Sequence, residues 1–401
     1  MSNFYAALEI GTTRTVLAIG EGSSGGRLKI TSHAEIPSTG VRKSQILDIG
    51  QATQSIRSVL HAIERKQEES GSKIMIGNAF LAVSGQHVKT DPYFGTAQVE
   101  GSRVGEDEIN EVLHSAHSMT LPKERELLDI IDQDYVLDNL GGIAAPNGMA
   151  GRVLRLNTLQ VHAERNRIQD ARTAADAAHL EIREPLYATT CAAEAVLEDH
   201  EKKNGVLVVN LGGGSTGYAV YADGYPVSAG DIGVGGDHVT NDIAHAFQTT
   251  NTQAEGIKVN EASALVSASG GGSPRVKVEQ GENTLMDNRT ISRQTLNTVV
   301  NARLLELFTV IRETLEDQDL LHRLHAGVVL TGGGAQMRDI CTLARQTLGT
   351  SARIGTPIHV DGLEDVAFPA AYATIAGALL YASRNYEDKS ILNGLFGRLF
   401  K

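Results

Sequence analysis

The sequence predicts an α/β protein with two related lobes that face each other across a cleft. The prediction rests on three glycine-rich turns, each of which follows an apolar strand. Residues 205–222 read GVLVVNLGGGSTGYAVYA, in which two β-branched runs flank three glycines, as in a β-hairpin. Residues 6–20 repeat this design, and residues 327–334 give a third strand that ends in glycines. Two similar hairpins about half a chain apart indicate two related lobes.

The glycines also indicate what the cleft holds. A turn without Cβ atoms exposes its main-chain N–H groups, which can surround phosphate oxygens. One such hairpin is weak evidence, because glycines in a tight turn need no ligand. A triphosphate gripped between the first two turns, with its nucleoside against the third, accounts for all three turns together.

Composition limits the remaining possibilities. A chain of 401 residues has room for two to four domains, and no apolar run approaches the 18 residues of a membrane-spanning helix. The first residues lack the pattern of a secretory signal, and Cys191 and Cys341 lack metal-ligand spacing, which favours a reduced cytoplasmic setting. The net charge of −12 and the absence of tryptophan argue against nucleic acid as a partner.

Between the hairpins the pattern changes. Residues 78–164 alternate predicted strands with a helix over 106–119, and they contain no glycine-rich phosphate signal. We therefore expect an inserted α+β module here. A helix is expected before it over 50–69, and two more are expected after it, over 166–179 and 185–197.

The second half carries two further candidate features. Residues 230–244 form a glycine-rich turn that opens a helix, and such a helix N-terminus favours an anion. Glu255 and Lys258 share one helix face and could reach a ribose or base, although an ordinary surface ion pair is the simpler alternative. Residues 295–317 predict a long amphipathic helix, and residues 369–381 a helix that closes back on the core.

The C-terminal tail predicts a membrane-binding helix. A polar linker over 383–389 precedes residues 390–401, whose bulky apolar side chains recur on one helical face while cations lie on the other. The alternative is a helix docked on its own protein. The apolar residues are Ile391, Leu392, Leu395, Phe396, Leu399 and Phe400, and the cations are Arg398 and Lys401.

The two hairpins, at residues 9–13 and 210–215, resemble the two phosphate motifs of the actin, heat-shock chaperone and sugar-kinase superfamily. Residues 330–335 resemble its adenosine motif. Within that superfamily the chain is most similar to the FtsA family of bacterial cell-division actin homologues. The segments that carry this similarity are 145–151, 235–244, 254–258, 372–377 and the tail.

The resemblance implies a two-lobed actin-like (ribonuclease H-like) α/β fold with an inserted α+β subdomain in the first lobe and a C-terminal amphipathic helix. It divides the chain into 1–77 and 165–203 (first-lobe core), 78–164 (inserted SHS2-like subdomain), 204–240 and 326–382 (second-lobe core), 241–325 (small subdomain of the second lobe), 383–389 (linker) and 390–401 (membrane-targeting helix).

The resemblance also implies ATP and Mg²⁺ in the cleft. The expected nucleotide-binding residues are Gly11, Thr12, Thr13, Arg14, Gly212, Gly213, Gly214, Ser215, Gly235, Gly236, Asp237, Glu255, Lys258, Gly332, Gly333 and Gly334. Glu9 and Asn210 stand where the family has the two aspartates that hold the hydrated metal and help to position the attacking water.

The chain departs from the family at this chemistry. Glu9 carries its charge one methylene further, and Asn210 loses the charge, which weakens metal binding and water activation. Gly217 stands where an acid is common, and Arg14 replaces a usual lysine but can still contact phosphate. We therefore predict ATP binding with weak or absent hydrolysis.

The resemblance implies an assembly function at the cytoplasmic face of the cell membrane, at the division site. The expected partners are other copies of the chain in filaments, the membrane, further division proteins at the inserted subdomain, and the C-terminal peptide of the tubulin-like protein FtsZ, for which Arg303 is the candidate contact. Two alternatives on the same fold are a small-molecule kinase, with Asp231 or Asp237 as its catalytic acid, and a pilus-assembly ATPase.

Overall fold

A computed structural model describes residues 4–22, 27–71, 74–266, 275–278 and 289–396. In chain order the strands are β1 Phe4–Ile10, β2 Arg14–Gly22, β3 Leu28–Pro37, β4 Val41–Arg42, β5 Gln45–Ile46, β6 Asn78–Val83, β7 Lys89–Gln98, β8 Arg125–Leu137, β9 Leu140–Ile143, β10 Val153–Glu164, β11 Glu181–Tyr187, β12 Val206–Leu211, β13 Thr216–Ala222, β14 Tyr225–Ile232, β15 Arg275–Val278, β16 Arg289–Ser292, β17 Gly327–Thr331, β18 Ala352–Ile354 and β19 Val360–Asp361. The helices are α1 Ile49–Ser70, α2 Glu106–His117, α3 Arg165–Asp176, α4 Ala188–Val196, α5 Asp199–Asn204, α6 Gly236–Phe247, α7 Asn251–Glu261, α8 Arg293–Asp317, α9 Ile340–Leu348 and α10 Ala373–Phe396. Short 3₁₀ turns lie at Leu321–Arg323, Gly333–Gln336 and Pro369–Tyr372.

The first lobe is built on a six-stranded sheet in the order β11–β6–β1–β2–β3–β19. Strands β1 and β2 form the predicted antiparallel hairpin, and β6 runs parallel to β1. Strand β6 begins at Asn78 and is buried over its remaining length, so the predicted start of the insertion at residue 78 is wrong. An apolar strand of this kind needs cover from elements packed on the faces of its sheet, and helices α10 and α4 contact β6.

The inserted subdomain forms a separate sheet in the order β7–β10–β8–β9. Helix α2 packs against β7 and β10 and shares a hydrophobic core with the sheet. Gly95 lets the helix approach, because a Cβ there would overlap the backbone of Ala116. The α+β character of the insertion is thus confirmed, and residues 127–137 form part of one long strand.

The second lobe is built on a five-stranded sheet in the order β14–β13–β12–β17–β18. Strands β12 and β13 form the predicted hairpin, with Asn210 paired with Gly217. Apolar side chains of α6, α7, α8 and α9 share one core with this sheet. The amphipathic helix predicted over 295–317 is confirmed as α8, which buries Leu296, Leu304 and Ile311 on one face.

The C-terminal part of the chain crosses back to the first lobe. Strand β19 pairs with β3, and α10 packs on α4 and on strands β1, β2 and β6. The assignment of 326–382 to the second-lobe core is therefore wrong from about Val360 onward. Nearly every side chain between Ala373 and Ala382 is buried, because this helix is covered by the sheet on one side and by α4 on another.

Two local predictions also change. The helix predicted over 185–197 starts as strand β11, and only from Ala188 is the chain helical. Pro185 lacks an N–H donor and is tolerated because β11 lies at the edge of its sheet. Residues 383–389, predicted as a linker, continue helix α10 without a break, since this stretch contains neither glycine nor proline.

The predicted membrane-binding face is only partly within the described chain. The backbone is helical as far as Phe396, while Arg398, Leu399, Phe400 and Lys401 lie outside the described residues. Among the helices that the structure describes, none is long and apolar enough to cross a membrane. Membrane binding by the tail stays a prediction.

Candidate functional site

A cavity of about 590 Å³ lies between the two lobes, within the size range of small-molecule sites. All the residues predicted to bind nucleotide or metal line it. They are Glu9, Gly11, Thr12, Thr13, Arg14, Asn210, Gly212, Gly213, Gly214, Ser215, Gly235, Gly236, Asp237, Glu255, Lys258, Gly332, Gly333 and Gly334. The structure thus brings together residues from both hairpins, the third turn, α6 and α7.

The two hairpins touch each other directly at the floor of this cavity. A Cβ at Gly213 would overlap the hydroxyl of Thr13, and a Cβ at Gly214 would overlap that of Thr12. The backbone N–H of Ser44 donates to Thr12 Oγ1 over 2.8 Å. The glycines are therefore required by the opposing turn, in addition to any phosphate that their amides could face.

The N-terminus of α6 is used differently from the prediction. The N–H groups of Gly236 and Asp237 donate to the carbonyl oxygens of Gly212 and Gly213, each over 2.9 Å. These amides would otherwise be the free donors of a helix N-terminus. These two N–H groups hold the turn of the second hairpin in place and are therefore not free to bind an anion.

Asp237 lies at the same junction. Burial raises the pKa of its carboxyl group, and nearby Lys258 counteracts this shift, while the Thr13 hydroxyl of the other lobe hydrogen-bonds to the carboxylate. The first turn of α6 therefore contacts both hairpins.

The third glycine turn packs against the end of β12. Gly332 has a φ of +81°, and a Cβ there would lie 2.5 Å from Asn210 Oδ1, so this position requires glycine for two reasons. Asn210 Nδ2 donates to Thr374 Oγ1 over 3.1 Å. The amide of Asn210 is thereby held between the third turn and the start of α10.

The acidic residue of the first hairpin, Glu9, is half-buried at the cavity wall. Burial raises the pKa of Glu9, and the positive charge of Arg14 opposes this shift. Among the described residues no group of three or more histidines, cysteines or acids could hold a metal ion. Mg²⁺ is commonly held by one or two carboxylates together with phosphate oxygens and water. Glu9 and the amide oxygen of Asn210 fit that role, but they would need the phosphates to complete it.

Arg14 already has protein partners. Its guanidinium forms an ion pair with Glu35, donates to the carbonyl oxygen of Ala371 and lies 5.1 Å from the centre of the Tyr372 ring. The side chain reaches the cavity wall, yet a phosphate there would have to share it with these groups.

Glu255 and Lys258 are more than an exposed ion pair. Lys258 Nζ lies 2.7 Å from Glu255 Oε2 and also donates to Thr240 Oγ1 over 2.9 Å and to the carbonyl oxygen of Gly236 over 3.2 Å. The lysine side chain is only 13% exposed. It therefore fixes α7 to the first turn of α6 and places a positive charge at the cavity wall.

The cavity also contains polar residues for which sequence reasoning predicted no nucleotide role. Asp231, Ser84 and Thr189 all line it. Burial raises the pKa of Asp231 to about 6, and one of its oxygens accepts a 3.1 Å hydrogen bond from the N–H of Gly85. Thr189 opens an alanine-rich helix and carries no local signal that distinguishes it from a buried core residue.

Arg303, the predicted peptide contact, is also engaged. It forms two hydrogen bonds to the carboxylate of Asp242, of 2.7 and 3.1 Å, and one of 2.6 Å to Glu306. The side chain is 26% exposed. Its charge is largely compensated by these two acids, so a partner would meet a charged cluster rather than a lone cation.

Two family models match the chain. One described as "Cell division protein FtsA" matches residues 207–377, and one described as "SHS2 domain inserted in FTSA" matches residues 85–162. The second match begins just after β6 ends, in agreement with the boundary of the insertion in the structure.

Curated relatives match almost the whole chain. Cell division protein FtsA of Pseudomonas aeruginosa is 32% identical over 381 residues, which cover 95% of this chain and 89% of that protein. Its counterpart in Escherichia coli is 31% identical over 394 residues, covering 96% of this chain and 91% of that protein.

Solved structures share the fold at low sequence identity. The PilM-PilN type IV pilus biogenesis complex matches with a TM-score of 0.64 at 16% identity, covering 94% of this chain and 98% of the matched chain. MreB 5 of Spiroplasma citri bound to AMPPNP matches with a TM-score of 0.54 at 14% identity, covering 98% of this chain and 99% of the other. The predicted two-lobed actin-like fold with an inserted subdomain is confirmed.

Proposed function

Since the chain belongs to the FtsA family of cell-division proteins, we propose that it binds ATP between its lobes, assembles into actin-like filaments and tethers FtsZ polymers to the cytoplasmic membrane. Its place in the cell would be the inner face of that membrane at the division site. The observation that carries the proposal is the meeting of three glycine turns around one cavity.

The shape and charge of the cavity support a nucleoside triphosphate. Phosphates would lie between the two hairpins, where the hydroxyl of Thr12 and the remaining turn amides can donate hydrogen bonds. Lys258 contributes positive charge from the α7 side. The nucleoside would lie against the turn at Gly332–334, next to the apolar surface of Val259 and Leu304.

The weak hydrolysis that we propose follows from Asn210. An amide cannot accept a proton from water or bind a metal with a full negative charge. Mg²⁺, when bound, would supply charge compensation for the phosphates, and Glu9 is the acid in reach to orient it. The side chains of this chain would then bind and orient the nucleotide more effectively than they promote its cleavage.

The assembly function rests on the family and on two surfaces. The tail after α10 would bind the membrane through the apolar face predicted from its sequence. The FtsZ C-terminal peptide would bind the small subdomain near α8, where the cluster of Arg303, Asp242 and Glu306 lies. Filament contacts and other division partners are proposed for the lobes and the inserted subdomain.

The alternatives draw less support. The pilus-assembly hypothesis rests on a fold similarity at 16% sequence identity. Sequence identity to the FtsA relatives reaches 32% over nearly the whole chain. A kinase would require a second substrate next to the phosphates, and the family match gives no reason to expect one.

ATP binding by the full-length protein tests the proposal. A Cβ at Gly333 meets no atom within 4 Å, and Gly333 lines the cavity. Gly333→Ala should therefore fold normally while placing a methyl group at the nucleoside turn. We expect ATP affinity measured by calorimetry to fall about tenfold, or ~1.4 kcal/mol.

Gly256→Ala is the matched control, because position 256 is equally open and does not line the cavity. This variant should bind ATP like the wild type. No measurable ATP binding by the wild-type protein, or equal affinities for all three proteins, would contradict a nucleotide at this site.

A further inference from the structure

Three residues lie in one row across the sheet of the second lobe. Asn210 on β12 pairs with Gly217 on β13, and Gly217 pairs in turn with Asp231 on β14. Paired positions in a sheet direct their side chains to the same face. Asn210 and Asp231 therefore stand on the cavity side of the sheet, on either side of a position without a side chain, and all three residues line the cavity.

The first lobe fills this gap with a hydroxyl group. A Cβ at Gly217 would overlap Thr189 Oγ1, so the side chain of Thr189 lies over the glycine, between Asn210 and Asp231. Thr189 is 1% exposed, and its hydroxyl has no hydrogen-bond partner within the described residues. The nearby hydroxyl of Tyr187 donates to the carbonyl oxygen of Gly230 over 3.0 Å and also interacts with the Thr189 hydroxyl and the Asp231 carboxylate.

Only one of the two carboxylate oxygens of Asp231 has a close hydrogen-bond partner. Its Oδ1 accepts the hydrogen bond from Gly85, which fixes the carboxylate to the segment that follows β6. Its Oδ2 is buried and has no partner in the described part of the chain. Buried polar atoms are nearly always paired with protein or ordered water. Two unpaired oxygens that line one polar cavity therefore indicate a small hydrogen-bonding ligand between them.

A water molecule suits the hydrogen-bonding chemistry of these two groups. It can donate to the carboxylate oxygen of Asp231 and exchange a second hydrogen bond with the hydroxyl of Thr189, which acts as donor or acceptor. Building on the proposed function, we propose that Asp231 and Thr189 hold the water that attacks the terminal phosphate of a nucleoside triphosphate in the cleft, with Asp231 as the proton acceptor.

The step balances without a further reactant. The water oxygen forms a bond to the terminal phosphorus while the bond from that phosphorus to the bridging oxygen breaks, and the departing diphosphate keeps the electron pair. The proton of the water passes to the Asp231 carboxylate. The products are the nucleoside diphosphate and inorganic phosphate. The chain thus has a carboxylate for slow hydrolysis on β14, although the hairpin position at Asn210 lacks one.

The electrostatics of Asp231 agree with this role. A general base is most effective when its pKa lies close to the working pH, and burial brings the pKa of Asp231 to about 6. Thr189 and the Oδ2 atom of Asp231 are both buried, so a water molecule between them would be ordered rather than freely exchanging.

Two sets of variants of the full-length protein test the inference. Asp231→Asn keeps the shape and the acceptor for the Gly85 N–H but removes the base. Thr189→Val removes the hydroxyl without changing the shape, and Thr189→Ser keeps it. Phosphate release from radiolabelled ATP with Mg²⁺ is measured in single turnover over hours, and ATP affinity is measured separately.

We expect phosphate release to fall about 100-fold in Asp231→Asn and about tenfold in Thr189→Val. Thr189→Ser should stay close to the wild type, and ATP affinity should change less than twofold in all three variants. If Asp231 and Thr189 had a purely structural role, the substitutions would change the melting temperature without producing this pattern of phosphate-release rates. If Asp231→Asn does not fold, the comparison of Thr189→Val with Thr189→Ser decides.

Three outcomes would overturn the inference. They are unchanged phosphate release in Asp231→Asn, equal release in Thr189→Val and Thr189→Ser, and a wild-type protein that binds ATP but releases no phosphate above the buffer background. The last of these leaves the proposed nucleotide site intact. A wild-type protein that fails to bind ATP contradicts the proposed function itself, and this inference falls with it.

Discussion

The hydroxyl group of Thr13 occupies the space that a side chain at position 213 would need. One residue belongs to the first lobe and the other to the second, so the two lobes meet at the turns that line the cavity. The distance between the lobes at this contact therefore depends on the size of the side chains at positions 13 and 213.

A double-mutant cycle measures this coupling. Gly213→Ala should destabilise the protein by about 2 kcal/mol, because the added methyl group overlaps Thr13 Oγ1. Thr13→Ala removes the overlapping atom, so in the double variant most of this loss should be recovered. Urea unfolding of the four proteins provides the free energies, and additive effects would show that the turns do not touch in solution.

Restoring the acid at position 210 should increase hydrolysis. In Asn210→Asp the carboxylate can accept a hydrogen bond from the Thr374 hydroxyl in place of the present amide donation. It also returns a charge that can orient Mg²⁺. We expect phosphate release to rise about tenfold, equivalent to ~1.4 kcal/mol in the activation barrier. Turnover by the natural protein that equals or exceeds that of the variant would refute the explanation.

Removal of residues 390–401 should abolish binding to vesicles that contain anionic lipids, as measured by co-sedimentation. A sharper comparison uses the same substitution on the two predicted faces of the tail. Phe396→Glu should weaken vesicle binding strongly, since it places a charge on the apolar face. Asn393→Glu, on the polar face, should have a much smaller effect, and equal losses would argue against an interfacial helix.

The stability of the protein should depend on Asp129. Burial raises the pKa of this carboxyl group to about 6, which is above its value in an unfolded chain. The folded state therefore holds the proton more tightly, and the contribution of Asp129 to stability is greatest below about pH 4 and declines as the pH rises to about 6.

Asp129→Asn imitates the protonated form and should stabilise the protein at pH 7.5 by about 2 kcal/mol, after allowance for solvent screening. At pH 4.5 the gain should be much smaller. Melting temperatures of the wild type and of Asp129→Asn at the two pH values measure this difference, and an equal gain at both would contradict the explanation.

The local elements of the fold were predictable because their signals are local. The hairpin at residues 205–222 combines β-branched runs with glycines, and α8 repeats its apolar residues at helical spacing. The turns that line the cavity followed from the same patterns. The fold class therefore agrees with the sequence-based prediction, and the residues predicted to bind nucleotide line one cavity.

The pairing of distant residues was not predictable in the same way. Nothing near Arg14 or Arg303 in the sequence indicates that Glu35 and Asp242 neutralise them, because those acids lie on other elements. The return of α10 to the first lobe likewise depends on which surface is left uncovered after both sheets have formed. Asp231 was a sequence candidate only for the kinase alternative, and its position in the same row as Asn210 depends on its pairing with Gly217.

The uninterrupted helix α10 has a mechanical consequence. Its 24 residues span about 36 Å at 1.5 Å per residue, and its first part is fixed among the buried side chains of the first lobe. A tail bound at the surface of the bilayer would then be rigidly connected to the first lobe. Rotation of that lobe would be transmitted to the membrane as torque, and the orientation of each subunit on the bilayer would be set by the fold itself.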